Sequence, residues 1–163
     1  MANDVRIQWS GVTTVVCTLA GLADNALRES TVVQNSANRY LDALFQATCV
    51  ANTAAVLTAV GAPVYFYAYA GIISTQYSGG ATGLDAAFNT TQQDPNALKL
   101  VGSLPLITMG AAAVTVYYSD LFSVAAAFGG NMPINWGIVV ENQTGQALNS
   151  AALQYQGLYV TIS

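Results

Sequence analysis

Residues 41–50 read LDALFQATCV, and their parity decides the fold. Leu41, Ala43, Phe45, Ala47 and Cys49 fall on one side of an extended chain, with Asp42, Leu44, Gln46, Thr48 and Val50 on the other. A period of two with one apolar side predicts a half-buried strand. A helix over 36–45 is the competing reading, since Leu41, Leu44 and Phe45 follow the cap-like Asn35 and Ser36 at helical spacing. β-branched residues and the later alternation favour the strand from Leu41 onward.

Outward from this stretch the same signal recurs. Short apolar or alternating runs at 5–9, 12–20, 29–33, 54–60, 64–70, 99–108, 113–118, 122–127, 136–142 and 153–162 are separated by Gly, Pro, Asn, Asp and Ser. Many short strands bounded by turn residues predict an all-β chain, and 163 residues suit a single domain spanning 1–163. The expected architecture is a two-sheet antiparallel β-sandwich, jelly-roll-like. In 12–20 the inward set is Val15, Cys17 and Leu19. The longest stretch without a pattern is 74–97, STQYSGGATGLDAAFNTTQQDPNA, whose 24 residues are too many for an idle connection.

Composition removes most function classes. Charged residues are only 7% of the chain and hydrophobic ones 53%, with a net charge of −4. Four scattered basic residues, Arg6, Arg28, Arg39 and Lys99, cannot form the cationic footprint that nucleic acid or an anionic membrane surface requires. With no histidine there is no Ser-His-Asp or Cys-His arrangement, and two cysteines are too few for a four-thiolate zinc site. The expectation is therefore no enzyme, no metal and no cofactor. Mean hydropathy is +0.43, and 54–73 is an uncharged apolar run. Gly61, Ala62 and Pro63 interrupt it and its second half alternates, which argues against a spanning helix. The opening MANDVRIQWSGV carries both signs of charge and no apolar signal core, so synthesis in a cytoplasm is expected.

Few residues suggest chemistry. Tyr65, Tyr67 and Tyr69 alternate in VYFYAYA and share one face of a strand, a row that suits a subunit contact, core packing or a sugar platform. Tyr77 and Phe88 are the aromatics of the long loop and join them as candidate contact residues. Asp85, Asp94 and Asp120 sit in loop or turn positions where carboxylates cap backbone amides more often than they hold calcium. Cys17 and Cys49 both face inward; a disulfide is conceivable, and free buried thiols are the plainer expectation. Gly129 and Gly130 lead a turn without the lysine and helix of a phosphate loop, and Asn142–Gly145, NQTG, reads as a turn rather than a glycosylation site.

The charge deficit is the most informative feature. From Ala43 to Leu84, 42 consecutive residues carry no charge. A sandwich of this size ordinarily guards its surface and strand edges with Lys and Glu, so a neutral surface is expected where other subunits cover it.

The segment from Tyr117 to Gly145, YYSDLFSVAAAFGGNMPINWGIVVENQTG, resembles a family of small tailed-bacteriophage virion proteins. In that family a (Tyr)-x-Ser-x-x-Phe-Ser-Val-Ala-x-Ala-Phe-Gly-Gly block precedes Pro-x-x-Trp-Gly-Ile-Val-Val-x-Asn-x-Thr-Gly. The matching positions here are Tyr118, 122–130, Pro133 and 136–145, and QNSANRYLDAL at 34–44, the run at 64–70 and TGLDA at 82–86 fit the same pattern. The resemblance implies a jelly-roll-like virion structural protein similar to capsid decoration (cement) proteins. On that reading the chain is a homo-oligomer, trimer preferred over dimer, bound to the major capsid protein on the outer capsid surface. The alternatives are a carbohydrate-binding or host-adhesion module of a tail or capsid fibre, with a glycan on the tyrosine row, and a tail or connector building block.

Overall fold

The computed structural model describes residues 4–37, 39–51, 63–106 and 116–162. Among them the strands are β1 (Val5–Trp9), β2 (Thr13–Val15), β3 (Leu27–Glu29), β4 (Val33–Gln34), β5 (Asp42–Ala51), β6 (Pro63–Gly71), β7 (Ala86–Ala87), β8 (Lys99–Pro105), β9 (Val116–Tyr118), β10 (Phe122–Ser123), β11 (Asn135–Asn142) and β12 (Leu148–Ile162). One short helix, α1 (Val124–Ala127), follows β10.

They form two sheets in which every strand pairing is antiparallel. The first runs β1-β12-β5-β10, with β2 also on β12 and β9 also on β5. The second runs β7-β3-β11-β6-β8, with β4 also on β11. The chain thus crosses between sheets and pairs first with last: β1 on β12, β3 on β11, β5 on β10, β6 on β8. That nested pairing is the jelly-roll order, and the all-β sandwich expected from the alternation is the fold.

Parity explains the core. On β5 Ala43, Phe45, Ala47 and Cys49 are fully buried, and on β6 Val64, Phe66 and Ala68 are too. Phe45 and Phe66 meet edge to face across the sandwich with ring centres 5.5 Å apart, and Phe122 lies against both. Trp136 of β11 is wholly buried and packs edge-on against Tyr155 at 5.2 Å; among the described residues its indole N–H has no hydrogen-bond partner. Ile138, Val140, Leu148 and Leu153 complete this layer.

The structure departs from the sequence reading at several of the expected strands. The strand expected over 122–127 ends at Ser123, where the hydroxyl accepts from the Ala126 amide at 2.9 Å and caps α1. A serine followed by Val-Ala-Ala-Ala suits a helical turn, and Asp42 adds a second acceptor for the Ala125 amide at 2.9 Å. The expected strand over 12–20 is regular only to Val15, although Val15 and Leu19 keep their inward parity. The run at 29–33 is split between β3 and β4. The strand expected at 54–60, with parts of those at 99–108 and 113–118, lies outside the described residues, as does most of the first half of the apolar run at 54–73. Among the described residues no helix is long and apolar enough to cross a membrane.

Candidate functional site

Strand parity turns Tyr65, Tyr67 and Tyr69 out of the sandwich, opposite Val64, Phe66 and Ala68. The three tyrosines then meet different fates. Tyr69 is 0% exposed. Its partner across β11 is Gly137, where even a methyl group would overlap the phenol ring, so the missing side chain lets that ring lie over the strand. The Tyr69 hydroxyl donates to the Ser30 carbonyl at 2.7 Å, and Tyr77 packs edge-on at 5.4 Å. Tyr69, Tyr77, Ala81, Phe88, Leu98 and Val139 form a second apolar core outside the sandwich, with Leu27, Val32 and Tyr67 at its margin. Tyr69, Tyr77 and Phe88 are therefore interior residues of this chain, and only Tyr65 and Tyr67 keep surface for a contact.

What closes this second core is the long loop, 74–97. Its middle forms β7 against β3, and its ends make short helical turns, the second capped by Asp94, which accepts from the Asn96 amide at 2.9 Å. Glu29, 0% exposed, anchors it from below. Its carboxylate accepts from the Thr82 amide at 2.7 Å, the Thr82 hydroxyl at 2.8 Å, and the Gly83 amide and Gln93 side-chain amide at 3.4 Å. A buried carboxylate is tolerable only with such donors around it. Sequence reading missed Glu29; the one signal was an acid beside Arg28 inside the short strand-like run ALRESTVV.

Asp85 ties the loop to two other segments. It accepts from Arg28 Nε at 2.6 Å, the Thr18 amide at 3.0 Å and the Thr18 hydroxyl at 2.5 Å. Partial burial alone would raise its carboxyl, but the Arg28 and Thr18 hydrogen bonds outweigh that and hold it at about 2. Asp85 and Asp94 thus serve as backbone ties, and Asp120 is an exposed turn residue whose carbonyl accepts from the Ser119 hydroxyl at 2.7 Å. No group of three Cys, Asp or Glu side chains that could hold a metal occurs among the described residues. Cys17 and Cys49 are free thiols, both pushed up to about 12: Cys49 by burial, Cys17 by burial first and then the Asp85 charge. Thiols held that high are poor nucleophiles at neutral pH. Asn142 is wholly buried, its side-chain oxygen accepting from the Thr144 amide and hydroxyl, so the NQTG segment is a turn.

Two open surfaces stand out among the described residues. Tyr65 and Tyr67 stand with ring centres 6.2 Å apart beside Glu141, which accepts from the Tyr67 hydroxyl at 2.9 Å and from Gln143 at 2.7 Å. Burial first, then the bond to Glu141, pushes the Tyr67 phenol up to about 12. On the other sheet, Val5, Ile7, Trp9, Val160 and Ile162 are 42–69% exposed. Comparison with known protein families, curated sequences and solved structures finds no match to this chain.

Proposed function

We propose that this protein is a non-catalytic structural subunit of a tailed-bacteriophage particle, a self-associating decoration (cement) protein that binds the major capsid protein on the outer capsid surface and stabilises the head. The family resemblance supplies the phage setting. The observation that carries the structural role is the surface itself: a jelly-roll sandwich whose outer strands leave Val5, Ile7, Trp9, Val160 and Ile162 uncovered and nearly uncharged. Apolar rows of this kind are stable in water when another surface covers them. Bound subunits would stabilise a shell by mass action. Particles lacking the protein should therefore lose heat resistance and regain it when purified protein is added back. Particles that stay equally robust but adsorb poorly to the host would overturn the cement reading.

A second reading, glycan binding, is supported by Tyr65 and Tyr67 beside Glu141, since two half-exposed rings with a carboxylate and an amide can stack and hydrogen-bond a sugar. Its test is separate. Tyr67→Ala should then abolish glycan binding while leaving assembly intact.

A further inference from the structure

The amphipathic pattern of β12 inverts part-way along the strand. At Leu153, Tyr155 and Gly157 the chain faces inward and is buried, while Gln154 and Gln156 face solvent. Beyond Gly157 the aliphatic residues change sides, while Tyr159 keeps the inner side and packs against Tyr40. Leu158, Val160 and Ile162 continue the row of Gln154 and Gln156 on the outer face of the sheet. A shift of one residue in parity moves a whole row to the opposite face, so this row cannot serve the chain's own core.

β1 makes the same choice independently. Its Val5, Ile7 and Trp9 stand opposite Ile162, Val160 and Leu158, and directly opposed residues share a face. Six apolar side chains therefore gather on one side of a two-stranded ribbon. Among the described residues β1 pairs with β12 alone, and β5 begins at Asp42 opposite Leu158, so the ribbon runs on past its neighbouring strand. A two-stranded ribbon with an uncovered apolar face is marginal in water.

We propose that this ribbon is the self-association surface, on which a second copy lays the same six side chains, apolar face against apolar face. The proposal rests on the self-associating role given above and places its contact. Two features favour a second copy over a partner of another kind. The six side chains are themselves uncharged: Asp4 and Arg6 pair with each other at 2.7 Å, Arg6 stands opposite Thr161 on the other side of the ribbon, and Asp42, beside Leu158 at the margin, is held by the Ser123 hydroxyl and the Ala125 amide. A neutral patch that matches itself is what a symmetric contact needs. One copy exposes on the order of 500 Å² of apolar side chain here, and two would bury roughly 1,000 Å², the lower bound for a biological interface.

The test is the mass in solution, by light scattering at micromolar concentration, of the wild type, Ile7→Glu, Val160→Glu and, as control, Thr14→Glu on β2, opposite Gln154 in the polar part of the same face. The expected result is a multiple of 16.9 kDa for wild type and Thr14→Glu, with association weakened roughly thirtyfold or more by either ribbon variant. Far-UV circular dichroism and a cooperative thermal transition must stay native in the ribbon variants, because Ile7 and Val160 are exposed at 69% and 42%. An oligomer that survives both substitutions overturns the placement and leaves the assembly role standing. A wild type with the mass of one chain overturns both.

Discussion

The two sheets carry apolar rows on their outer faces, and the chain treats them differently. Outside β6 and β11 the row of Tyr69 and Val139 is roofed by residues 74–97, tied down at Glu29 and Asp85. Outside β12 and β1 the row of Val160, Ile162, Val5, Ile7 and Trp9 has no roof among the described residues. Similar side chains thus contribute to folding on one face and are available for association on the other. The difference is topological. A 24-residue loop connects β6 toward β8 and can fold back on its own sheet, whereas β1 and β12 meet at the sheet edge.

Substitutions on the roofed face should damage folding most. Tyr69→Ala removes a wholly buried ring from the second core and should cost about 3–5 kcal/mol, lowering Tm by roughly 10 °C in calorimetry. If Tm barely moves, the loop is not held by that core. Glu29→Ala leaves the Thr82 and Gly83 donors without their buried acceptor and should cost about 2 kcal/mol. It should also open 74–97 to limited proteolysis while the sandwich stays intact; unchanged cleavage would break the anchor assignment.

Asp85→Asn is a smaller probe of the same roof. The wild-type carboxyl titrates at about 2 when folded against an ordinary 3.8, so the unfolded chain binds that proton more readily. The stabilisation is complete above the ordinary value and is lost as pH falls through about 2. Asp85→Asn should cost about 1 kcal/mol at neutral pH and flatten the acid limb of the stability profile. An unchanged acid limb would remove the tie. On the open face, Ile7→Glu should alter the folding free energy of the isolated chain by no more than about 0.5 kcal/mol, measured by urea unfolding in dilute solution.

Much of the sandwich was legible because alternation is local. β1, β5, β6 and β11 lie where the apolar or alternating runs place them, and Val15 and Leu19 keep their parity even where the strand lapses. The site was less legible because it depends on contacts distant in sequence. Tyr65, Tyr67 and Tyr69 are equivalent by spacing, and only the loop folding back from 74–97 separates a buried ring from two half-exposed ones. Glu29 gave no local sign of its donors, which lie 53 and more residues away. The turn from strand to helix at Ser123 hid in a run of alanines that suits either state. The inversion in LQYQGLYVTI at 153–162 is visible to the eye once Gly157 is taken as the point where parity changes, but a single ten-residue run reads first as one uniform strand.

Amide hydrogen exchange, comparing wild type with Ile7→Glu at one micromolar concentration, tests the contrast between the two faces most directly. The account predicts that the variant loses protection in β1 and over 158–162, while the amides of 77–98 exchange at the wild-type rate. Equal exchange of β1 in both proteins, or loss of protection under the loop instead, would contradict it.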